Sequence, residues 1–587
     1  MKRPHYKTVL VAINAQFIHT GLGARSIAAY IRQETDFDVS LLEVTINHRE
    51  ADILRSLYER RADAYLFSCY IWNIEMILRI VRDLRLLCPK AVIGLGGPQV
   101  GYQNPTFLWA LPEVDFIFSG EGEKTACHLL CLLAAKKPLE ECPGILYRKG
   151  AQVVTTAARP PVPLDELPFP YPDIGALPHR IVYYESMRGC PFACSYCTSS
   201  IEHGVRKRSL SLVFQELAVL LDHRVKQVKF VDRTFNCDPE RSRAIWEWLA
   251  RHDNGTTCFH FELSGELLGK GDLAFLSNIR PGLFQLEIGV QSTCPVTLTE
   301  IKRPSNTPRL LERIMQLMIP QNIRIHLDLI AGLPYEDYDR FQLSFNQVYA
   351  CSPHQIQLGV LKILSGSKME KDASRHGIVC SANAPYEVLR TRWIQYGQLG
   401  ILRGVARMLD VYHNSARFSH IVRHLISSFP NPFIFYQQLW LYFESETEGM
   451  AISEMGYYDL LAGFMEKQGL SVTEELQWIA KYDLLSHEKP RKLPGWVAVD
   501  LSGEYREQIR RFFMNPSNIA QYLPEYGGES STRVERMAHL EFFPFNPATR
   551  SPGVVAAVFN YKRRTILGSA FSQFIPPETL QAENINA

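Results

Sequence analysis

IVYYESMRGCPFACSYC, residues 181–197, runs from a strand-like segment directly into three closely spaced cysteines. Cys190, Cys194 and Cys197 have the spacing C-x3-C-x2-C. Three thiolates so close together can bind one metal centre, and a four-iron cluster held by three of them keeps one iron open to another ligand. Zinc is the alternative, but a closed structural zinc site needs a fourth ligand, for which His203 is a candidate. The pattern favours an iron-sulfur cluster over zinc or inert thiols.

Strand-like segments recur along residues 180–375, and the gaps between them are long enough for helices. The six segments are Ile181–Glu185, Val228–Asp232, Phe259–Leu263, Phe284–Val290, Ile325–Ile330 and Ile356–Leu361. Repeated βα units produce parallel strands, and six of them predict a partial (β/α)6 barrel. Chemistry in such barrels lies at the carboxyl ends of the strands, which is where the cysteine loop stands.

Residues 1–156 also alternate strand and helix, which predicts a doubly wound, flavodoxin- or Rossmann-like α/β sheet. The predicted strands are Thr8–Ile13, Ser40–Ile46, Ala64–Tyr70, Ala91–Leu95 and Asp115–Phe118. Such a sheet binds ligands beyond the carboxyl ends of its strands, where the strand order reverses. The proline-rich residues 157–179 cannot form a helix interior or a central strand, so they predict an extended linker.

Residues 376–587 change to long helical segments followed by strands, which predicts an α+β domain. The predicted helices are Tyr386–Leu402, Phe418–Phe429, Ile434–Phe443, Tyr457–Lys467 and a segment near Tyr505–Phe513. The predicted strands are Trp496–Leu501, Ala538–Phe545 and Val554–Tyr561. Aromatic side chains at helical spacing are typical of a core, and lining a substrate pocket is the alternative.

The overall charge of the chain does not indicate a particular class of binding partner. Lysine and arginine number 63 and aspartate and glutamate 61, so the net charge of +2 gives no strong signal for nucleic-acid or membrane binding. We find no secretory signal at the start and no stretch long and apolar enough to span a membrane. We therefore expect a cytoplasmic protein whose 13 cysteines are mostly reduced or metal-bound. Cys127 and Cys131 also have C-x3-C spacing, but their helical context indicates a buried apolar stripe.

The cysteine spacing, the aromatic Tyr196 before the last cysteine, and the place of the loop after the first strand resemble the radical S-adenosylmethionine (SAM) superfamily. The resemblance implies that Cys190, Cys194 and Cys197 hold a [4Fe-4S] cluster whose open iron binds SAM. It also implies reductive cleavage of SAM to methionine and a 5′-deoxyadenosyl radical. A reducing electron donor of the flavodoxin or ferredoxin type is then a required partner.

The strand ends supply the SAM pocket that the resemblance implies. Family members use the end of the second strand for the methionine amino group. This chain lacks their glycine-glycine-glutamate there, and Asp232 is a candidate substitute. A period of two places polar residues of FELSGE, and others of LEIGVQS, on single strand faces. An interior carboxylate is costly unless it meets a ligand or a donor, and ordinary interior salt bridges are the alternative. The candidates are Tyr196, Asp232, Glu262, Ser264, Glu287, Gln291 and Asp328.

The amino-terminal domain resembles the cobalamin-binding domain of cobalamin-dependent radical SAM enzymes. The resemblance rests on GLGGPQVG (94–101) and FSGEGE (118–123), although a glycine-rich loop alone could equally bind a nucleotide. The usual D-x-H-x-x-G motif is missing, so His19 is a candidate for the lower cobalt ligand or an ordinary loop residue. The candidate cobalamin-binding residues are His19, Ser68, Gly96, Gly97, Gly120 and Gly122.

Together the two resemblances imply a cobalamin-dependent radical SAM enzyme, a methyltransferase acting on an unactivated carbon of a small-molecule or peptide substrate. In that scheme a substrate radical takes the methyl group from methylcobalamin, and a second SAM molecule methylates the cobalamin again. Radical rearrangement or cyclisation without net methyl transfer is the alternative within the class. A non-catalytic metal-binding protein that senses redox state or binds RNA is the alternative outside it. Residues 376–587 resemble the domain of unknown function that often follows this barrel, and we expect them to close its open side.

Overall fold

The computed structural model describes residues 6–103, 105–177, 179–201, 204–303, 305–447, 449–576 and 580. His203, the candidate fourth zinc ligand, lies outside the described residues. The chain forms two compact units. Unit 1 consists of Met1–Leu317, Gly332–Asp337 and Val360–Tyr396, and unit 2 of Met318–Ala331, Tyr338–Gly359 and Gly397–Ala587. Residues 376–396 therefore belong to unit 1, although the predicted domain boundary lies at 375.

Unit 1 begins with the predicted doubly wound sheet. Its strands are β1 (Lys7–Asn14), β2 (Asp38–Thr45), β3 (Ala64–Ser68), β4 (Val92–Gly96), β5 (Phe116–Phe118), β6 (Ile145–Lys149) and β7 (Gln152–Thr155). Its helices are α1 (Leu22–Glu34), α2 (Glu50–Arg60), α3 (Ile74–Leu87), α4 (Pro105–Trp109) and α5 (Gly122–Ala134). The strand order is β2-β1-β3-β4-β5-β6-β7, so the order reverses at β1. The first five strands are parallel, whereas the unpredicted β6 and β7 are antiparallel.

Both faces of this sheet are covered because its strands are apolar on both sides. Ile53 of α2 and Ile77 of α3 lie in the core on one face. Ala28 of α1 and Leu129 of α5 lie in the core on the other. Burial on both faces is typical of a parallel sheet with crossover helices. It leaves the carboxyl edge as the place where ligands bind.

The predicted barrel series follows, and its elements alternate along the chain. They are β8 (Ile181–Tyr184), β9 (Met187–Cys190), β10 (Gly204–Lys207), α6 (Leu210–Asp222), β11 (Gln227–Phe230), α7 (Pro239–Arg251), β12 (Cys258–Leu263), α8 (Lys270–Leu276), β13 (Phe284–Gln291), α9 (Pro295–Glu300), α10 (Thr307–Met318), β14 (Arg324–Ala331), α11 (Tyr338–Ala350) and β15 (Gln355–Val360). In unit 1 the strands lie in the order β13-β12-β11-β8, and each pair is parallel. β14 and β15, apart from the last residue of β15, belong to unit 2. All six predicted strands are confirmed to within two residues.

Three short elements complete unit 1, and they are α12 (Lys368–Asp372), β16 (Val379–Cys380) and β17 (Val388–Arg390). The predicted helix Tyr386–Leu402 is wrong in its first half, because β17 pairs there with β16 and α13 (Tyr396–Leu409) begins only afterwards. The predicted strand Trp496–Leu501 is also wrong. Gly495–Val497 forms a short 3-10 turn, anchored by Val497, which is fully buried, and by the Trp496 Nε1 hydrogen bond to Tyr458 O (3.0 Å).

The carboxyl-terminal part of unit 2 is a helical layer with a small antiparallel sheet. Its helices after α13 are α14 (Ser419–Ile426), α15 (Pro432–Thr447), α16 (Gly456–Lys467), α17 (Glu474–Leu485), α18 (Arg506–Met514), α19 (Pro516–Tyr522) and α20 (Ser531–Met537). Its strands are β18 (His539–Phe545), β19 (Pro552–Arg564) and β20 (Ala570–Ile575), in the order β18-β19-β20. Helices cover both sheet faces, so the α+β prediction is confirmed. Among the described residues, no helix combines the length and the apolar character that crossing a membrane requires.

Candidate functional site

The three cysteines lie on and after a hairpin made by β9 and β10. Gly204 is paired with Cys190 and Val205 with Gly189. Gly189 has φ +98, and an added Cβ would lie 2.1 Å from the carbonyl oxygen of Gly204. Only glycine therefore fits at the residue before the first cysteine. The hairpin fixes the backbone direction at which the cysteine loop begins.

The three thiols of the loop lie close enough to act on one another. Besides burial, the charges of Cys190 and Cys197 raise the pKa of Cys194. A four-iron cluster binds each of three thiolates at a different iron and leaves the fourth iron open. Three neighbouring thiols in one loop therefore fit a [4Fe-4S] cluster.

Arg303 lies beside one of these thiols. Its Nη1 lies 3.8 Å from Cys194 Sγ, and its Nη2 donates to the Gly289 carbonyl (2.7 Å). Burial raises the pKa of Cys194, and the Arg303 charge opposes this shift. Tyr196 lies beside both groups, and burial raises the pKa of its phenol. Arg303 thus stabilises the thiolate form that a metal requires.

The Asp232 carboxylate is buried and forms its hydrogen bonds within the protein, so it is not exposed to a ligand. Its Oδ1 accepts from the backbone N–H groups of Ser186 (2.8 Å) and Met187 (3.1 Å), and its Oδ2 accepts from the Ser186 hydroxyl. The side chain is fully buried. This corrects the expectation that the carboxylate faces SAM. Asp232 instead fixes the turn between β8 and β9, which carries the cysteine loop.

Replacing Asp232 with Asn is expected to flatten the pH dependence of stability. Burial raises the pKa of Asp232 from its usual 3.8 to about 7, although the Ser186 hydrogen bonds oppose this. The folded state therefore holds the proton more tightly, so stability falls as pH rises between about 4 and 7. One pKa unit corresponds to about 1.4 kcal/mol, so the loss amounts to a few kcal/mol.

Melting temperatures of wild type and D232N between pH 5 and 8 measure this effect. We expect the wild type to lose more stability than the variant across the range. Parallel curves for the two proteins would contradict the role of this carboxyl group.

The carboxyl ends of β12 and β13 form a polar crevice. Its lining residues are Phe192, Ser264, Gly265, Glu266, Gly289, Arg303, Ser305 and Leu310. Gln291 adjoins it in a left-handed conformation (φ +69), and its Nε2 lies 2.2 Å from where a Cβ on Gly289 would be. Gln291 Oε1 is buried with no hydrogen-bond partner among the described residues. A strained backbone and an unpaired buried oxygen are typical of a ligand site, so the end of β13 is a candidate site for a polar ligand.

Glu262 and Glu287 lie on the interior side of the strands and form ion pairs. Lys229 Nζ is 3.1 Å from Glu287 Oε2 and 3.7 Å from Glu262 Oε1. Burial alone would lower the pKa of Lys229, but the two carboxylates raise it. His260 Nε2 is 2.9 Å from Glu287 Oε2. The alternative of interior salt bridges therefore holds for both glutamates. Asp328 belongs to unit 2, where it contacts His326 (3.1 Å).

His19 is held by the first barrel strand. Its Nδ1 is 2.7 Å from the Tyr183 hydroxyl, and its carbonyl oxygen accepts from Asn14 and Arg180. Burial lowers the pKa of His19, with a smaller effect of Lys229 in the same direction. The imidazole is therefore neutral at pH 7, which is the form that binds a metal. The hydrogen bond at Nδ1 fixes the orientation of the ring and so directs the other ring nitrogen, Nε2.

The carboxyl edge of the doubly wound sheet fits a flat macrocycle. Gly97 has φ +105, and an added Cβ would lie 2.7 Å from Cys69 O, so only glycine lets these two loops meet. Gly120 has φ +80 and faces open space. Trp72, which follows β3 and Ser68, is 46% exposed and stacks on Tyr70 (4.3 Å). Exposed aromatic surface and open glycine backbone at the carboxyl edge of the same sheet fit a corrin.

Two of the predicted glycines serve packing. An added Cβ on Gly122 would lie 2.6 Å from Ile27, so Gly122 lets α5 pack on α1. An added Cβ on Gly96 would lie 3.1 Å from Phe118. These contacts correct the expectation that all four glycines face the cofactor. Ser68 ends β3, and its carbonyl oxygen accepts from Asn73 Nδ2 (3.0 Å).

An ion-pair network ties the cysteine hairpin to the loop after β5. Arg188 pairs with Glu123 (2.9 Å), Glu185 (2.7 Å) and Glu121 (3.4 Å). Arg206, directly opposite Arg188 in the hairpin, also pairs with Glu121. Burial alone would raise the pKa of Glu123, but Arg188 lowers it. The same loop thus presents Gly120 to open space and holds the hairpin in place.

Replacing Arg188 with Met is expected to weaken cluster retention. The change leaves the buried Glu123 without its cation, which costs about 3–5 kcal/mol for a buried pair. Iron release to a chelator from the anaerobically loaded protein measures the effect, and we expect faster release. Arg79→Met is the matched control, because Arg79 pairs with Glu50 on the surface, where such a pair is worth about 0–1 kcal/mol. Equal release from both variants would contradict the role of the network.

A second contact joins the glycine loop after β4 to the cysteine loop. Gly366 has φ +81, and an added Cβ would lie 2.8 Å from Tyr102 Cβ and 3.1 Å from Ile201 Cδ1. Tyr102 follows GLGGPQVG, and Ile201 follows the third cysteine. The two sequence regions that suggested cofactors therefore lie next to each other in unit 1.

Sequence reasoning missed Arg188, Arg303 and Gly189. Arg188 and Gly189 stand immediately before Cys190, and a glycine at the start of a metal loop is itself a signal for a restricted backbone. Arg303, in contrast, lies 109 residues from Cys194, so no local pattern could have found it.

Three family models match this chain. The B12 binding domain matches residues 8–130, the radical SAM superfamily matches residues 184–348, and a protein family of unknown function, DUF4080, matches residues 374–555. The order of the three agrees with the predicted order of domains.

Curated relatives match the chain in part. The uncharacterized methyltransferase PH0819 of Pyrococcus horikoshii is 26% identical over 235 residues, 38% of this chain and 50% of the relative. The cobalamin-dependent radical SAM methyltransferase TokK of Streptomyces tokunonensis is 24% identical over 333 residues, 51% of this chain and 47% of the relative. The anaerobic magnesium-protoporphyrin IX monomethyl ester cyclase of Synechocystis sp. is 26% identical over 247 residues, which are 40% of this chain and 48% of the relative. The matched region spans about half the length of these relatives.

Solved structures share the fold. The radical SAM methyltransferase TsrM of Kitasatospora setae, with cobalamin and a [4Fe-4S] cluster bound, has a TM-score of 0.52 at 15% identity, covering 65% of this chain and 78% of that chain. The cobalamin-dependent SAM radical enzyme OxsB, with aqua-cobalamin and SAM bound, has a TM-score of 0.58 at 13% identity, covering 81% and 79%. At these identities the likeness concerns the fold alone.

Proposed function

We propose that this chain, a radical SAM protein with a B12-binding domain and a DUF4080 domain, methylates an unactivated carbon of a small-molecule or peptide substrate. Its cofactors are a [4Fe-4S] cluster, SAM and cobalamin. The observation that carries the proposal is the contact of the cysteine loop and hairpin with both glycine loops of the B12-binding domain, through Gly366, Tyr102 and Arg188. Methyl transfer between two cofactors requires such proximity.

The residues of this chain bind and orient. The cofactors together supply one-electron cleavage of SAM and a transferable methyl group. Cys190, Cys194 and Cys197 hold the cluster, and Arg303 stabilises the thiolate of Cys194. Gln291 and the crevice beside it hold SAM by polar contacts, and Trp72 and His19 face the corrin. Reduced thiols are maintained in the cytoplasm, which is where we place the protein.

Product analysis tests the methyl-transfer step. The anaerobically loaded full chain, a reductant and SAM would be incubated with candidate substrates taken from the products of neighbouring genes. We expect S-adenosylhomocysteine and 5′-deoxyadenosine to form together, with a methylated product. Substrate consumption with 5′-deoxyadenosine but without S-adenosylhomocysteine would contradict methylation.

That second outcome would support radical cyclisation or rearrangement instead. The similarity to the Synechocystis cyclase, at 26% identity, favours this candidate as the alternative. Cyclisation or rearrangement would use the same cysteines and the same crevice as methylation. The products therefore distinguish the two functions, whereas the cofactor content does not.

A further inference from the structure

The backbone of Ser195 joins the cysteine loop to two neighbouring segments. Its N–H donates to Ile301 O (2.9 Å), and its carbonyl oxygen accepts from Met369 N (2.7 Å). Ser195 stands between Cys194 and Cys197, and it is almost fully buried. Residues around 301 and 369 therefore form the layer that covers the cluster loop on this side.

A three-residue segment crosses that layer. Ile301 accepts the Ser195 hydrogen bond, and Arg303 places Nη1 3.8 Å from Cys194 Sγ. Lys302, between them, is exposed and adopts φ +54. An exposed side chain therefore lies one residue from the arginine that contacts a cluster ligand. Electron transfer slows steeply with distance, so a protein reductant that docks here would lie close to the cysteine loop.

The surface here is cationic. We call it the cationic face and define it by its exposed basic residues Lys302, Lys368, Lys371, Arg375, Arg390 and Arg392. The segment 375–392 is continuous with it, because Arg375 pairs with Glu300 (3.0 Å) and Arg392 N donates to His376 O (3.2 Å). The whole chain has a net charge of only +2, so this concentration of cations is local.

Two acidic groups on this face pair with its cations, Glu300 with Arg375 and Asp372 with Lys368 (2.9 Å). Glu370 Oε2 accepts from Gly366 N (2.8 Å), and its carboxylate keeps its charge. The remaining cations find no ion-pair partner within the part of the chain that the structure describes, and they are Lys302, Lys371, Arg390 and Arg392. Their charge is available to an acidic partner.

An aromatic pair lies beside the cations. The Tyr335 ring is 41% exposed and its centroid is 4.5 Å from that of Trp393, the residue after Arg392. Tyrosine, tryptophan and arginine are the residues most enriched at the energetic centres of protein interfaces. The face therefore combines a rigid aromatic anchor with a basic surround.

We propose that the cationic face is the docking surface for an acidic one-electron carrier protein of the flavodoxin or ferredoxin type. The inference rests on the proposed function, because radical cleavage of SAM requires a reduced cluster. In the step concerned, the carrier loses one electron and the cluster gains it, and no bond forms or breaks. Complementary charge raises the rate of encounter more than it raises affinity.

The test measures the bimolecular rate of cluster reduction in the loaded full chain, followed by its visible absorbance. Reduced flavodoxin is one reductant, and the small methyl viologen radical cation is the other. In K371E/R390E we expect flavodoxin to react about 10- to 100-fold more slowly at low ionic strength. Methyl viologen, which is itself cationic, should react no more slowly. K302E, made separately, should show the same pattern, and K137E/K226E is the control at exposed lysines elsewhere.

Several outcomes would overturn the proposal. An unchanged flavodoxin rate in both variants would do so, as would an equal loss of rate with both reductants. The wild-type flavodoxin rate must also fall with added salt, since exposed charges are screened within about 10 Å at 0.1 M. A change in substrate KM with an unchanged reduction rate would instead indicate a substrate-docking face. Cluster reduction is measured without substrate. If the chain proved not to transfer methyl, the docking proposal could therefore still be tested in this way.

Discussion

Cys194→Ala is expected to abolish cluster incorporation and SAM cleavage. The thiol lies in the middle of the loop, buried, with Arg303 directed at its sulfur. A cluster held by three thiolates that loses one has only two protein ligands, and the open iron is no longer defined. We expect the cleavage rate to fall by at least about 1,000-fold, as when one member of a catalytic unit is removed.

Iron and sulfide content, visible absorbance and 5′-deoxyadenosine formation measure this loss after anaerobic loading. The matched control is Cys131→Ala, because Cys131 belongs to the other C-x3-C pair and is exposed on α5. We expect the control to bind a full cluster. A folded Cys194→Ala protein that kept its iron and still cleaved SAM would refute the assignment of the cysteine loop.

The strands of both parallel sheets could be predicted because burial on two faces demands continuous apolar runs. Val228 and Phe259, for example, are fully buried in strands that begin within one residue of the prediction. The antiparallel β6 and β7 were predictable too, since Gly150 (φ +59) separates ILYRK from QVVT in a hairpin pattern. The helix over Tyr386–Leu402 failed because strand pairing overrode helical spacing.

The candidate site was predictable only where a residue type has one chemical explanation. Three close thiols in a loop have few roles, whereas a buried carboxylate can meet a ligand, a cation or backbone donors. Asp232 meets backbone donors and Glu262 meets Lys229. Arg188 reaches Glu123 across 65 residues, a contact that only the folded chain creates. Partners of charged residues therefore had to come from the structure.

Gly189→Ala is expected to prevent cluster assembly without touching a ligand. Its backbone has φ +98, a conformation that costs other residues about 1–3 kcal/mol. The new Cβ would also lie 2.1 Å from Gly204 O, a backbone atom that cannot turn away as a side chain does. The strands of the hairpin must then separate. We expect strain and clash together to cost more than about 4 kcal/mol, which is an exceptional loss for one substitution. Cys190 would lose its position, so we expect little iron to be retained.

Gly204→Ala is the matched control for this clash. Gly204 has nearly the same φ, +95, but an added Cβ there would meet nothing within 4 Å. The two variants therefore share the backbone strain and differ in the steric contact alone. Iron content and hydrogen exchange of the hairpin amides measure the difference, and we expect G204A to keep its cluster while G189A loses it. Equal iron content would show that the cysteine loop assembles independently of its hairpin. Loss in both would assign the effect to strain, because the steric contact exists only at Gly189.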